Sequence, residues 1–235
     1  MKSGFAAFFL ILGLASCASV TQDDIKNANY HYQMGISYLS NNNIQPAFVE
    51  LQKALELNPH DKNVHEMLGI IYLDKLENYP KAVEHFQEAL DIDENFSEAA
   101  NNLGSAYLSM GKFDQAIASY KKAISNPQYK NAAMALYNLG MVYYRLSKFD
   151  EAMDAFKESL RRFSNFPMPY YGLALCYNAK GQYGDAAAAM GHAVEIDPIY
   201  KGDKKKAKAD LKDRKISAKG DQEKDIADFL DILQY

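Results

Sequence analysis

Five tyrosines recur at nearly constant spacing along most of this chain. They are Tyr38, Tyr72, Tyr107, Tyr143 and Tyr177, at intervals of 34, 35, 36 and 34 residues. A small residue precedes each by three positions: Gly35, Gly69, Gly104, Gly140 and Ala174. Two further ladders keep this pace: Ala47, Ala82, Ala116, Ala152 and Ala186, then Ala54, Ala89, Ala123, Ser159 and Ala193. Because self-similarity near 34 residues is typical of stacked helix pairs, it predicts an all-α repeat array that binds other molecules.

Each period contains the pattern of two helices separated by a turn. In the third period, Leu103 and Tyr107 are spaced as neighbours on one helical face. The turn Met110-Gly111-Lys112-Phe113 follows, and a second helix is predicted near Ala116. Breakers then close several periods: Asn58-Pro59, Asn126-Pro127, Pro167 and Asp197-Pro198. Every period therefore reads as one helical hairpin.

The third period closely resembles the tetratricopeptide repeat. The resemblance is carried by Leu103-Gly104, Tyr107, Ala116, Tyr120 and Ala123. It implies an all-α, right-handed superhelical solenoid of about five helix hairpins, followed by a C-terminal helical extension. The expected repeats are 28–61, 62–96, 97–130, 133–166 and 167–200, which together form a domain over 28–200. Repeat two has one extra residue in its turn, within Leu73 to Lys81, and the join Asn126 to Asn131 is two residues longer than the regular one.

The N-terminus has the pattern of a secreted lipoprotein. Lys2 precedes an apolar run from Phe5 to Leu14, which is too short to span a bilayer and fits a signal-peptide core. The following Leu14-Ala15-Ser16-Cys17 resembles the bacterial lipobox, in which the cysteine thiol accepts a diacylglyceryl group. We therefore expect a signal peptide over 1–16, then lipidated Cys17 and a tether over 17–27. Several acyl chains, including palmitate, would anchor the protein stably; an ordinary signal peptide with an incidental cysteine is the alternative.

The location of the anchor follows from a further resemblance. Ala18 comes after the cysteine, where an Asp would be the exception, and this resembles outer-membrane sorting in enterobacterial lipoproteins. The expected location is the periplasmic face of the outer membrane of a Gram-negative-type bacterium. The second cysteine, Cys176, lies between Leu175 and Tyr177 inside a repeat and is expected in the core.

In the tetratricopeptide fold the first helix of each hairpin lines a groove, and the resemblance places ten residues of this chain there. They are Tyr32, Ile36, Leu39, Ile70, Leu73, Asn101, Tyr137, Met141, Tyr144 and Tyr171. Such a groove is apolar and aromatic, and it suits an amphipathic helix or a hydrophobic peptide. Relatives that clamp a C-terminal carboxylate use Lys and Arg at groove positions; here almost none are present, Arg145 being the exception, so that mode is disfavoured. Several of these side chains would alternatively serve inter-repeat packing.

The end of the chain changes composition twice. Residues 201–220 contain nine Lys or Arg against three Asp, and 221–235 contain five acids against one Lys. Ile226, Phe229, Leu230 and Leu233 fall on one helical face. We expect a basic linker over 201–220 and an acidic amphipathic helix over 221–235. That helix would cap the last repeat, while a basic contact with anionic lipid, peptidoglycan or an acidic partner stays open.

Signals of catalysis or of cofactor binding are weak throughout the sequence. The five histidines have no ligand spacing, and Asp91, Asp93 and Asn95 begin a calcium-loop pattern that fails because Phe96 replaces its glycine and Asn102 its glutamate. A net charge of −4 disfavours nucleic acid. We therefore expect no enzyme activity, no metal or other cofactor, and no small-molecule substrate.

Signal sequence, Cys17 and about five repeats together resemble the type IV pilus biogenesis lipoproteins, the pilotins of secretins. Outside the positions common to all tetratricopeptide repeats, the segment of this chain that most resembles the family runs from Asn126 to Tyr129, ahead of Leu136 to Gly140. The resemblance implies an outer-membrane lipoprotein that binds secretin subunits and promotes their localisation and assembly. The alternative is a periplasmic adaptor lipoprotein that recruits envelope enzymes or proteases.

Overall fold

The structure is a computed structural model that describes residues 20–234. All regular secondary structure in this range is α-helical. The chain divides into two compact units, one ending at Pro59 and the other beginning at His60. The described part of the first unit contains one hairpin, α1 (Gln22–Ser40) and α2 (Ile44–Leu57). Thr21 and Asp24 form a capping box at the start of α1, which satisfies two backbone donors that the helix itself leaves unpaired.

The second unit holds four further hairpins and a C-terminal helix pair. The hairpins are α3 (Lys62–Asp74) with α4 (Tyr79–Ile92), α5 (Ser97–Ser109) with α6 (Phe113–Ser125), α7 (Ala132–Arg145) with α8 (Phe149–Arg162), and α9 (Pro167–Ala179) with α10 (Tyr183–Ile196). The last pair is α11 (Lys204–Lys215) and α12 (Asp221–Ile232). Five hairpins with a helical extension confirm the predicted fold class.

The small residues of the ladder are explained by close packing inside each hairpin. A Cβ added to Gly104 would lie 2.7 Å from ring carbons of Tyr120, and one added to Gly140 would lie 2.5 Å from Cε1 of Phe156. Both rings are fully buried. A glycine on the first helix therefore lets an aromatic ring from the second helix reach the axis of its partner.

Each hairpin turns through one residue of left-handed backbone. These residues are Asn42, Glu77, Gly111, Ser147 and Gly181. The turn in the second hairpin is the longer one, and the join between α6 and α7 spans the six residues Asn126 to Asn131. Tyr129 of this join is buried in the core of the second unit, and Asn126 Nδ2 donates to Ser97 Oγ at 3.1 Å. The longer join thus contributes its own side chain to the core.

The basic stretch is a helix, which differs from the linker that its charge suggested. Asp203 caps α11 by accepting from the amide of Lys206. Ala207 and Leu211, one turn apart, are buried against the cluster that includes Tyr200 and Ile226. Two apolar residues at helical spacing are enough to fix one side of the helix, while most of its lysines are exposed on the other sides. The charge of the segment predicted a linker because the narrow apolar stripe of Ala207 and Leu211 was not considered.

Candidate partner-binding face

The first helices of the four hairpins in the second unit lie side by side, since α3 contacts α5, α5 contacts α7 and α7 contacts α9. We call the surface of these four helices the A-helix face. One side of each of these first helices packs on the second helix of the same hairpin. The residues of the first helices that lie outside these contacts form the face. Six of the predicted groove residues, Ile70, Leu73, Asn101, Tyr137, Met141 and Tyr171, are half-buried on these helices.

At α3 and α5 the face carries a polar ladder. Asn102 Nδ2 donates to Glu66 Oε1 at 3.2 Å, and Asn138 Nδ2 donates to Asn101 Oδ1 at 3.3 Å. Asn101 Nδ2 in turn donates to Asn102 Oδ1 at 3.3 Å, so the two pairs are connected. Burial, with the nearby charge of Glu98, raises the pKa of Glu66 to about 7. Asn101, which was predicted in the groove, and its neighbours Asn102 and Asn138 therefore link neighbouring repeats.

Beside this ladder lies an open surface cavity of about 350 Å³. It is lined by Glu66, Glu98, Asn101, Asn102, Tyr129, Asn131 and Met134. Met134 is 42% exposed, so its thioether side chain is available to a partner. Ile70, Leu73 and Leu108 are partly buried and pack against the core. This end combines apolar contact area with amide groups.

At α7 and α9 the face is covered by the chain itself. Helix α12 packs on α9 and α10, and Phe229 meets the ring of Tyr171 edge to face at 5.5 Å between centroids. Tyr171 also donates from its hydroxyl to Asp197 Oδ2 at 3.1 Å. Burial raises the pKa of Tyr137 to about 12, with a further contribution from the charge of Asp225. The predicted groove residues at this end are therefore in contact with α12 or lie next to it.

An ion pair fixes α12 at this place. Arg145 Nη1 donates to Asp225 Oδ1 at 2.7 Å, Nη2 donates to the other oxygen, and Nε lies 3.2 Å from Asp221 Oδ2. Burial works against the charged guanidinium, but Asp225 and Asp221 more than offset it and raise the pKa of Arg145. Such a two-pronged pair is directional as well as strong. Arg145, the one basic residue predicted in the groove, thus binds a carboxylate supplied by the same chain.

Tyr144 is placed differently from the other predicted groove residues of this unit. It is 7% exposed and belongs to a buried cluster with Met153 and Phe156. Its ring lies 5.4 Å from the Arg145 guanidinium. Burial raises the pKa of its hydroxyl. Tyr144 therefore supports Arg145 from the interior and offers little surface to a partner.

The three remaining predicted groove residues belong to the first unit. Tyr32, Ile36 and Leu39 are half-buried in α1. On the same hairpin, His31 Nδ1 lies 2.6 Å from Glu50 Oε2 of α2, which ties the two helices together. Tyr32, Ile36 and Leu39 remain predictions.

Of the two cysteines, Cys176 lies among the residues that the structure describes and Cys17 does not. Cys17, the predicted lipidation site, and the signal peptide lie outside the described residues. Cys176 is fully buried, and burial raises the pKa of its thiol to about 12, so it is an inert core residue. Among residues 20–234 no three His, Cys, Asp or Glu side chains form a group suited to a metal ion. No helix in this range combines the length and apolar character needed to cross a membrane.

The sequence predicted a helix capping the last repeat, and α12 does pack on α9 and α10; what sequence reasoning missed is the pairing of Arg145 with Asp225. Two signals for it were present: a single basic residue in the groove, and an acidic helix with an apolar face at the chain end. A buried Arg needs a carboxylate, and Asp225 is adjacent to Ile226 on the apolar side of α12. Pairing them required knowing that α11 turns the chain back towards α7 and α9.

Comparisons with known proteins agree with this architecture. Sequence models of the tetratricopeptide repeat match residues 96–165, 75–111, and both 28–61 and 169–200. The type IV pilus assembly protein PilF of Pseudomonas aeruginosa is 29% identical over 131 residues, which cover 52% of this chain and 51% of that protein. This chain therefore spans about half the length of that relative. An uncharacterized protein of Haemophilus influenzae is 30% identical over 127 residues, covering 51% of this chain and 68% of that protein.

Solved structures show the same fold. A structure of Pseudomonas aeruginosa pilF has a TM-score of 0.67 at 22% identity, covering 84% of this chain and 96% of that one. PilW, described as a widely conserved type IV pilus biogenesis factor, has a TM-score of 0.67 at 21% identity, with 88% and 98% covered. Repeats of this kind are scaffolds for protein–protein interaction. The chain belongs to the tetratricopeptide-repeat proteins and is related, at low identity, to the type IV pilus assembly protein PilF.

Proposed function

We propose that this protein is an outer-membrane lipoprotein, anchored through Cys17 on the periplasmic side, that binds secretin subunits and promotes their localisation and assembly for type IV pilus biogenesis. The relationship to PilF supports the pilus context. The lipobox-like segment before Cys17 supports the anchor. Tethering a scaffold to the membrane where the secretin assembles would raise the local concentration of its subunits.

The observation that carries the binding role is the open part of the A-helix face at α3 and α5. It presents Ile70 and Leu73, partly exposed, and Met134 at the cavity beside the asparagine ladder. Apolar groups next to hydrogen-bonding amides suit an extended or helical peptide, which needs both contact area and orientation. We assign this surface to the secretin subunit.

The test changes this surface at one exposed and one half-buried position. Met134→Glu places a charge at an exposed position of α7, and Ile70→Glu places one on a half-buried residue of α3, two repeats away. We expect each to lower the recovery of secretin multimers with this protein from detergent-extracted outer membranes by at least tenfold. The matched control is Ile92→Glu, at the exposed end of the second helix α4, which should leave recovery unchanged. Circular dichroism checks that helicity is kept.

Two outcomes would overturn the assignment. Undiminished secretin recovery with folded Met134→Glu and Ile70→Glu variants would remove the role of this face. Recovery of peptidoglycan hydrolases or proteases in place of secretin would favour the adaptor function instead.

The anchor has its own test. Replacing Cys17 by Ser removes the only atom at this position that can accept the lipid, so we expect the protein to leave the membrane fraction or to accumulate as an unprocessed precursor. Membrane fractionation with mass spectrometry of the mature N-terminus measures this. A lipid-modified mature form of the Cys17→Ser variant would contradict the proposal.

A further inference from the structure

Helix α12 shows what chemistry the A-helix face accepts at α7 and α9. Phe229 rests on Tyr171 of α9, while Ile226 and Ile232 are almost fully buried in the neighbouring cluster that includes Ala174 of α9 and residues of α10 and α11. Asp225 and Asp221 both reach Arg145. The contact therefore has the two parts of a helix-in-groove complex, an apolar stripe and a charge that sets the register.

The fit between α12 and this face is incomplete. A cavity of about 270 Å³ remains between them, lined mainly by apolar side chains that include Tyr137, Met141, Leu175 and Phe229. An unfilled apolar cavity forfeits packing contacts, so the site is not optimised for the helix that occupies it. A helix with a larger apolar residue facing Met141 would fill it better.

The connection between α11 and α12 also allows α12 to move away from the face. The connection from Ile216 to Gly220 is largely exposed, with Ile216 at 86%. Gly220 has a φ of +57°, and α12 begins there without a side-chain cap. Asp225 and Asp231 lie near Asp228, whose pKa is raised by burial and by these like charges. The helix is held by contacts with α9 of the face, with α10 and with α11.

We propose that the A-helix face at α7 and α9 is a binding site for an acidic amphipathic helix of the partner, and that α12 is its internal occupant, which the partner helix displaces. The partner helix carries a carboxylate facing Arg145 and an aromatic or large aliphatic residue one turn later facing Tyr171, as Asp225 and Phe229 do. This deepens the proposed function and rests on the A-helix face being the partner surface. Because α12 is tethered, its high effective concentration keeps the site closed to weak or mismatched helices.

The test uses the full chain and a labelled peptide with the sequence of residues 221–233. In the variant Asp225→Lys/Phe229→Ala, α12 repels Arg145 and loses its ring contact, so the site opens. We expect the peptide to bind this variant at least tenfold more tightly than it binds the wild type, measured by fluorescence anisotropy. The control Asp231→Lys changes the same charge on the exposed side of α12 and should behave as the wild type does. A peptide carrying Asp225→Lys should bind the opened variant at least tenfold more weakly.

Hydrogen exchange at residues 221–232 verifies that α12 is released while α7 and α9 stay protected. If the double variant loses helicity, Asp225→Asn is the milder replacement, with the same expected direction. Equal peptide affinity for wild type and opened variant, absent binding to a folded opened variant, or unchanged exchange at 221–232 would each overturn the proposal. No secretin is present in these measurements. Failed secretin capture with successful peptide binding would therefore count against the proposed function and leave this inference standing.

Discussion

The two ends of the A-helix face in the second unit are built from the same repeat and differ in what covers them. At α3, α5 and the first half of α7 the face is open and carries the asparagine ladder from Glu66 to Asn138. At α7 and α9 it is aromatic, contains Arg145 and is occupied by α12. Hairpin packing constrains only the inward positions, such as Gly104 and Gly140, so the outward positions are free to diverge. One scaffold thus offers two surfaces of different chemistry.

The largest expected effect tests whether the hairpins at the two ends of the face have the same interior packing. Gly104→Ala and Gly140→Ala each place a Cβ within 2.7 Å of a fully buried ring, which has no room to retreat. Both should lower the free energy of unfolding by about 2 kcal/mol, measured by urea denaturation. The ring of Phe156 is confined on a second side because Gly172 also packs closely on it. The loss of stability at Gly140 should therefore equal or exceed that at Gly104.

The matched control for these variants is Gly184→Ala in α10, where an added Cβ meets nothing within 4 Å. It should leave stability unchanged or raise it by up to about 1 kcal/mol, because alanine favours the helix. A cost at Gly184 similar to that at Gly104 would show that steric contact with the ring is not the cause.

The second prediction concerns the open end and depends on pH. The folded-state pKa of Glu66 is raised from 4.5 to about 7, so the folded chain binds this proton more tightly than the unfolded chain does. Its stabilising contribution is complete below pH 4.5 and is lost as pH rises towards 7. Glu66→Gln keeps the acceptor for Asn102 and removes the charge.

We therefore expect Glu66→Gln to raise the free energy of unfolding by about 1–2 kcal/mol at pH 8, after allowing for solvent screening of this partly exposed group. At pH 4 the substitution should have no effect. Thermal unfolding followed across pH 4–8 measures the difference. A gain that is the same at both ends of this range would refute titration of Glu66 as its source.

The smallest effect is expected from the ladder itself. Asn138→Ala removes the donor to Asn101 Oδ1 and should cost about 0.5–1 kcal/mol, the usual value of one hydrogen bond. Asn63→Ala, on the exposed side of α3, is the control and should be neutral. Equal unfolding midpoints for Asn138→Ala and the wild type would mean that the ladder orients groups for a partner and adds nothing to stability.

The repeat pattern predicted most of the fold because its physical cause is local. Glycine before tyrosine and the two alanine ladders report on contacts within a hairpin, whose two helices are close in sequence. The irregular turn near Glu77 and the long join at Tyr129 were also visible as breaks in spacing. The groove positions were harder to predict, since Tyr144 occupies such a position and yet is buried.

By itself, the sequence determined the hairpins, their number and the small residues that let each pair close, because these depend on spacing along one chain segment. Tertiary structure alone decided that the basic segment is a helix and that α12, which was expected to cap the last repeat, also reaches Arg145 of α7. That decision depends on a pair of residues 80 positions apart, Arg145 and Asp225. Contacts at such a distance leave no periodic trace, since they arise only when the chain has folded and a buried charge must find its partner.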